Sequence, residues 1–475
     1  MTSTSDIVQK LWNLCKLLRQ GGVTYHQYVN ELTFLLFLKM AQETGKESQL
    51  PQGLRWKDLL TRSGVDQLNF YRQLLLDLGT KGQGQVADIF VNATTVITKP
   101  ATLSSLVTAL DGLDWYNARE EGFGDLYEGL LEKNATEVKR GAGQYFTPRP
   151  LIECMVALMQ PKPGEIIQDP AVGTGGFLIN ADRYIKQATD NLYTLSEKRQ
   201  DFQRKRAFHG MEFVQDVHRL CLMNMLLHDL DVPIFWGDTL SQSGKRLEQA
   251  DCILTNPPFG VSASGAPSRD DFTYPTSNSQ LAFLQHIYRG LKPLGRAAVV
   301  LPDNVLFEDG VGRNIRADLM NKCNLHTVLR LPTGIFYAQG VKTNVLFFQR
   351  GENDENNTKD VWFFDLRTNM PSFGKRTPLT REHFADFEYC YGKDANGKSP
   401  RKDQGETGRF RCFSREAISK RNENLDITWL RDESSTHSDD LPDPNVLAAQ
   451  ILEQLALATS EMEALTRLLE GEENE

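Results

Sequence analysis

The stretch EIIQDPAVGTGGFLINA, residues 165–181, combines three signals that set the fold class of the chain. Its apolar first part predicts a buried strand that ends at Asp169, and FLINA predicts the start of a helix. Between them, Gly173, Gly175 and Gly176 predict a tight turn at which a ligand can approach the backbone closely. A dinucleotide, another nucleotide, or a turn without any ligand each fits this stretch alone. The order strand, glycine turn, helix predicts the first unit of a doubly wound α/β sheet.

Six more short apolar runs follow this unit and alternate with helical stretches. Runs that are apolar throughout are typical of strands buried on both faces of a mainly parallel sheet, and we expect one late strand to be antiparallel. The runs are AFHGMEF (207–213), VPIFWGD (232–238), DCILTNPP (251–258), GRAAVVLPD (295–303), HTVLRLP (326–332) and NVLFFQR (344–350).

Changes in this pattern divide the chain into four segments. Residues 1–135 place apolar residues at helical spacing and predict a helical N-terminal domain. Residues 136–350 contain the sheet, and the polar, turn-rich residues 351–440 predict an irregular extension that covers it. Residues 441–475 contain seven apolar positions between Leu447 and Leu469, spaced three or four residues apart. This spacing predicts an amphipathic helix with one apolar stripe. That helix packs either on a partner subunit or on its own chain.

The composition of the chain limits where the protein is expected to be located and what it is expected to bind. No stretch approaches the roughly 20 apolar residues that span a bilayer, and no basic segment with an apolar run opens the chain, so we expect a cytoplasmic protein. The seven cysteines form no Cys-x-x-Cys pair, which argues against disulfides and zinc, and we predict no metal site. The net charge of −9 argues against strong unaided binding to DNA, because duplex binding depends on cationic side chains.

Two acids follow the second and third strands. Glu212 ends the second strand, where an acid typically binds a ribose diol; the alternative is a solvated acid. Asp238 follows the third strand, where it could accept from an adenine amino group or cap a helix. No Gly-Lys-Ser/Thr follows the glycine turn, so triphosphate hydrolysis lacks its main support.

The fourth strand ends in Asn-Pro-Pro-Phe, residues 256–259, at the carboxyl edge of the sheet. The Asn256 side-chain carbonyl and the Pro257 backbone carbonyl offer two acceptors for the hydrogens of an exocyclic amine. Pro258 stiffens this segment and Phe259 can stack on a base, which must first leave the duplex. Four residues alone also fit a strand that ends in a Pro-Pro turn, but their position after the glycine turn favours the amine site.

Asp-Pro-x-x-Gly-x-Gly-Gly, residues 169–176, followed by Asn-Pro-Pro-Phe resembles the amino-methylating DNA adenine methyltransferases, which use S-adenosylmethionine. With GAGQYFTPRPLIECMVALM (141–159), PTGIFYAQGVKTNVLFF (332–348) and the helical N-terminus, nearly the whole chain resembles the modification subunit of type I restriction-modification systems. The resemblance implies a Rossmann-like S-adenosylmethionine-dependent methyltransferase sheet with a helical N-terminal domain and a C-terminal helix.

The resemblance also implies roles for individual residues. The amino group of adenine would be methylated directly, without a covalent enzyme intermediate. The catalytic residues that the resemblance implies are Asn256, Pro257, Pro258 and Phe259. A cytosine ring methyltransferase would instead need a nucleophilic cysteine after proline, and the chain contains no Pro-Cys pair. The residues assigned to the cofactor are Gln144, Tyr145, Phe146, Thr147, Pro148, Arg149, Asp169, Gly173, Thr174, Gly175, Gly176, Glu212 and Asp238.

The implied partners are double-stranded DNA, a specificity subunit that selects the target sequence, a second copy of this chain, and a restriction subunit in the full complex. Such a complex would protect host DNA by methylation and take part in restriction. Two other functions remain open at this point: methylation of a protein glutamine, whose planar amide suits the same acceptors, and a catalytically silent scaffold. The intact residues 256–259 argue against the scaffold.

Overall fold

The computed structural model describes most of the chain. The predicted C-terminal helix, and Gln144, Tyr145 and Phe146 of the predicted cofactor site, lie outside the described residues. Those described are 4–20, 25–113, 115, 123–137, 147–259, 269–336, 341–371, 373–374 and 377–431.

The strands in the described part of the chain form one nine-stranded sheet, and each of the seven predicted runs contributes a strand to it. The strands are β1 (Ile167–Asp169), β2 (Phe208–Glu212), β3 (Ile234–Trp236), β4 (Ala250–Thr255), β5 (Leu291–Pro302), β6 (Cys323–Arg330), β7 (Thr343–Arg350), β8 (Asp360–Asp365) and β9 (Phe410–Ser414).

The strand order β3-β2-β1-β4-β5-β7-β6-β8-β9 determines which residues meet at the carboxyl edge. The pairs β1–β2, β1–β4, β2–β3 and β4–β5 are parallel. Consequently the last residues of three adjacent strands lie at the same edge of the sheet, namely Asp169, Glu212 and Thr255. Open α/β sheets bind ligands at this edge. Strand β7 is antiparallel to both β5 and β6, which confirms the predicted late antiparallel strand.

The prediction of an irregular extension over residues 351–440 is corrected by β8 and β9. Strand β8 pairs in parallel with β6, and β9 pairs antiparallel with β8, so the sheet continues to Ser414. The apolar core of β8 is only four residues, VWFF (361–364), and long polar loops surround it. Aromatic contacts across the two strands add to the pairing: the rings of Trp362 and Phe410 stack with centroids 4.8 Å apart.

The helices lie mainly in the N-terminal segment and between the strands. In the described part of the chain, the short 3-10 helices Lys46–Gln49, Gln242–Arg246 and Arg381–Phe384 accompany them. The α-helices are α1 (Thr4–Gln20), α2 (Tyr25–Glu43), α3 (Trp56–Leu60), α4 (Gly64–Lys81), α5 (Gln85–Phe90), α6 (Pro100–Asp111), α7 (Phe123–Glu137), α8 (Arg149–Met159), α9 (Gly176–Ala188), α10 (Glu197–Lys205), α11 (Gln215–Leu227), α12 (Ser279–Gly290), α13 (Asn304–Phe307), α14 (Val311–Lys322), α15 (Ala385–Tyr391) and α16 (Arg415–Lys420).

Two hydrophobic clusters pack on the two faces of the sheet. Ala298 and Val299 are neighbours in β5 yet belong to different clusters, because successive side chains of a strand point to opposite faces. The cluster of Ala298 also contains Leu35 of α2 and Leu74 of α4, so the N-terminal helices share a core with the sheet. Residues up to Trp429 form one compact unit, and the domain boundary near residue 135 stays a prediction.

The helices of the described segments include none with the length and apolar character needed to cross a bilayer.

Candidate active site

The glycine turn between β1 and α9 has the backbone that the sequence predicts. Gly173 and Gly175 have φ values of 55° and 89°, in the left-handed region that glycine adopts without a steric penalty. Gly175 is the N-cap of α9, where a Cβ atom would overlap Met225 Cε and lie 3.2 Å from Cys221 Sγ. The turn therefore requires glycine for its backbone, and a larger side chain would also disturb the contact between α9 and α11.

Glu212 at the end of β2 is held directly against this turn. Its Oε2 accepts from the Gly173 N–H at 3.1 Å and its Oε1 from the Val214 N–H at 2.8 Å. Burial raises the pKa of this carboxyl, and the backbone hydrogen bonds act in the opposite direction. Each carboxylate oxygen has capacity for a second hydrogen bond, so Glu212 can also bind a ligand hydroxyl beside the glycines.

Asp169 at the end of β1 is almost completely buried, with 1% of its surface exposed. Its Oδ1 accepts from the Ala171 N–H at 3.1 Å, and burial raises its pKa to about 7. In its protonated form this carboxyl can donate as well as accept a hydrogen bond.

Asp238 follows β3, which lies beyond β2 in the sheet. Its Oδ1 accepts from the Leu240 N–H at 2.8 Å, and its backbone carbonyl accepts from the Ser241 hydroxyl at 2.7 Å. These contacts form a local turn, and the N-cap of the following 3-10 helix Gln242–Arg246 is Ser241, so Asp238 does not cap that helix. A contact between Asp238 and adenine stays a prediction.

The segment after β4 places the Asn256 amide beside the residues that precede α8. The Asn256 Nδ2 donates to the Thr147 hydroxyl at 3.0 Å. The Asn256 Oδ1 is buried and has no hydrogen-bond partner among the described residues. The amide thus has one committed donor and one available acceptor at the carboxyl edge.

The prolines and the phenylalanine of this segment differ in their surroundings. Pro257 is buried and Pro258 is exposed. The Pro258 carbonyl accepts from the Gln280 Nε2 at 2.8 Å, which ties the segment to α12. Phe259 is partly buried and meets Phe336 edge to face, with ring centroids 5.7 Å apart. Phe336 lies in the stretch 332–348 quoted above. The sequence did not predict its contact with Phe259.

A pocket of about 360 Å³, measured with its open mouth, brings together four predicted cofactor residues. It lies where α7, the start of α8, the glycine turn and α11 meet. The four predicted residues are Thr147, Arg149, Thr174 and Gly176, and the other lining residues are Glu128, Leu131, Glu132, Ile152, Asn180 and Asn224.

Two asparagines of this pocket were missed by sequence reasoning. The Asn224 Nδ2 donates to the Thr174 carbonyl and the Asn180 Nδ2 to the Gly176 carbonyl, both at 2.9 Å. The signal for Asn224 was a single amide inside the apolar run CLMNMLL (221–227), where a buried polar group requires a partner. Asn224 lines the pocket, and its Oδ1 is buried without a partner in the described structure.

A charged cluster joins α7 to the helices at the glycine turn. Arg149 and Arg183 each place Nη2 near Glu128 Oε2, at 3.1 and 2.8 Å, and Arg183 also pairs with Asp125. Asp125, Glu128 and His228 are close enough to hold a metal ion, but Arg183 contacts all three side chains. Arg149, predicted at the cofactor, is therefore also an ion-pair partner of the N-terminal helices.

Sequence comparison identifies the relatives of this chain. The family profile described as N-6 DNA Methylase matches residues 118–439. The type I restriction enzyme StySPI methylase subunit of Salmonella potsdam is 53% identical, over 98% of this chain and 96% of that protein. The EcoKI methylase subunit of Escherichia coli (strain K12) is 52% identical over the same shares.

Solved structures agree with this result. The crystal structure of the EcoKI M protein (EC 2.1.1.72) is similar with a TM-score of 0.60 and 48% identity, over 98% of this chain and 96% of that one. A chain from a study of the assembly and conformational transition of the type I R-M system has a TM-score of 0.72 and 27% identity, over 99% of both chains. This chain therefore belongs to the N-6 DNA methylase family and is the methyltransferase subunit of a type I restriction-modification enzyme, which transfers a methyl group from S-adenosylmethionine to adenine N6 in DNA.

Proposed function

We propose that Asn256 and Pro257 hold the N6 amino group of an adenine that has left the duplex, while a separate specificity subunit selects the DNA sequence. The observation that carries the base site is the Asn256 Oδ1, a buried acceptor without a partner among the described residues. It lies directly after β4, the neighbour of β1 and its glycine turn. An adenine amino group supplies the donor that such an acceptor requires.

The chemistry needs positioning more than activation. The Asn256 Oδ1 and the Pro257 carbonyl would each accept one N6 hydrogen, which directs the nitrogen lone pair away from the amide and toward the glycine turn. Phe259 would stack on the base and offset part of the unstacking cost of roughly a few kcal/mol. The contacts of Gln280 with the Pro258 carbonyl and of Phe336 with the Phe259 ring support a rigid base site.

The residues at the turn fit S-adenosylmethionine, which supplies an electrophilic methyl group when bound. Glu212 would accept from the ribose hydroxyls, and Thr174 and Gly176 would line the pocket. The unpartnered Oδ1 of Asn224 in the pocket wall supports this fit, because the cofactor carries an ammonium group that can donate to it.

Replacing Glu212 by Ala should weaken S-adenosylmethionine binding roughly 10- to 100-fold, because it removes a charged acceptor and frees the Gly173 N–H that orders the turn. Isothermal calorimetry on the purified chain measures this change. Glu248→Ala, which removes an exposed acid, is the matched control. Unchanged affinity in a folded Glu212→Ala protein would contradict the ribose role.

DNA recognition is expected to need partners. The net charge of −9 disfavours unaided binding to phosphates. The similarity to a chain of a type I R-M complex supports a multisubunit assembly. We expect a cytoplasmic complex of two copies of this chain with one specificity subunit, to which a restriction subunit can bind.

The test of this function uses labelled S-adenosylmethionine and duplex DNA, with and without the specificity subunit. Label should appear as N6-methyladenine only when both subunits are present. Label on a protein glutamine, or no transfer by the assembled complex, would favour the two alternatives, a protein methyltransferase and a silent scaffold.

Deleting the residues after Pro444 should prevent stable union with the specificity subunit and leave cofactor binding intact. The described sheet ends at Ser414 and its compact unit at Trp429, so the deletion removes neither. Burial of several leucines at roughly 25 cal/mol per Å² can stabilise a subunit contact by several kcal/mol before association costs. Co-purification and calorimetry measure the two effects.

Two point variants sharpen this test. Leu455→Asp changes the apolar stripe, whereas Gln454→Asp changes a neighbouring polar position. Only Leu455→Asp should reduce co-purification. Normal assembly of the truncated chain would disprove the contact, and loss of cofactor binding would place the helix in this chain's own core.

A further inference from the structure

We infer that Thr147 is a positioning residue for methyl transfer: its hydroxyl fixes the Asn256 amide with Oδ1 available to the target amino group. The inference rests on the base-holding role proposed for Asn256. It adds a function to Thr147, which the family resemblance assigns only to the cofactor.

The contact joins two parts of the chain that are 109 residues apart. Thr147 directly precedes the helix α8, and Asn256 follows β4. The Asn256 Nδ2 donates to the Thr147 Oγ1 at 3.0 Å, while the Asn256 Oδ1 has no partner among the residues that the structure describes. Among the described residues, the Asn256 amide is therefore held through its Nδ2 atom and not through its Oδ1 atom.

The orientation of this amide matters because its two ends have nearly the same shape. The terminal torsion of asparagine is broad and roughly two-fold, so sterics alone select weakly between the two orientations. In the wrong orientation the Nδ2 hydrogens would face the N6 hydrogens of adenine, donor against donor. A threonine hydroxyl can donate or accept; in this structure the Thr147 hydroxyl accepts from Nδ2, and that contact restrains the amide in the orientation that leaves Oδ1 for the target amine.

Thr147 also lines the pocket assigned to the cofactor, so two roles need to be separated. A hydroxyl that only binds the cofactor would, on removal, raise the dissociation constant and leave kcat unchanged once S-adenosylmethionine is saturating. A hydroxyl that positions Asn256 would instead lower kcat at saturation.

The experiment compares Thr147→Val, Thr147→Ala and Thr147→Ser in the complex with the specificity subunit. At saturating DNA and S-adenosylmethionine, kcat should fall at least about tenfold in the Val and Ala variants, because one ordering hydrogen bond is lost. Thr147→Ser keeps the hydroxyl and should recover most of the rate. Thr44→Val removes a partly buried hydroxyl that donates to the Met40 carbonyl, and it controls for nonspecific effects.

Calorimetry with S-adenosylhomocysteine reports folding and cofactor affinity independently of turnover. Full kcat at saturation in both Val and Ala variants would overturn the inference, as would a Thr147→Ser protein no faster than Thr147→Val. Failure of the Asn256 role itself has a different signature, which is near-normal methylation by Asn256→Ala in the same assay.

Discussion

Asn256→Ala should abolish DNA methylation by the assembled complex, with kcat reduced by more than about 100-fold, and leave S-adenosylmethionine affinity nearly unchanged. The variant removes the Oδ1 acceptor, so the target amine loses one of its two proposed hydrogen-bond partners. The Asn256 side chain is absent from the lining of the cofactor pocket, which is why binding should persist. Single-turnover rates with labelled cofactor, together with calorimetry, measure both quantities.

Two further variants make this result specific. Asn256→Gln keeps the amide but moves it by one methylene, and a displacement on the order of 1 Å at a reacting centre can cost about 100-fold in rate. Asn69→Ala replaces an exposed asparagine of α4 and should have no effect. Near-normal methylation by Asn256→Ala would show that this amide does not hold the target base.

The second large effect is expected for Gly175→Val, which should lower the free energy of unfolding by about 2–6 kcal/mol and abolish cofactor binding. The residue has φ 89°, which strains a β-branched side chain, and a Cβ there would overlap the end of Met225. A methionine tip can move away from one methyl group, but valine adds two more carbons beside Cys221. Denaturant unfolding and calorimetry measure the two losses.

Gly405→Val separates backbone strain from packing. Gly405 has φ 73°, and a Cβ atom at this position would have no heavy atom within 4 Å, so its substitution introduces a similar strain without the overlap. The excess destabilisation of Gly175→Val over Gly405→Val therefore measures the contact between α9 and α11. Equal effects of the two substitutions, with cofactor affinity retained, would disprove the assignment of Gly175.

The strands that were predicted and those that were missed differ in how clearly their own sequence indicates a strand. AFHGMEF and DCILTNPP are apolar because β2 and β4 lie inside the sheet between parallel neighbours, so each run is recognisable by itself. The four apolar residues of β8 become a strand by pairing with β6 and β9, two partners distant in sequence. A short apolar run among polar loops does not specify such pairing.

Local sequence was sufficient for the seven strands β1 to β7, the helical N-terminal segment, the glycine turn, and the presence of Glu212 and Asn256 at strand ends. These features depend on short-range preferences: periodicity, the freedom of glycine, and the missing N–H of proline. The tertiary structure alone decided that Thr147 accepts from Asn256, that Asn224 binds the Thr174 carbonyl, and that Arg149 pairs with α7. Each contact joins different elements of the fold, and its geometry arises only when their apolar faces pack on the shared sheet.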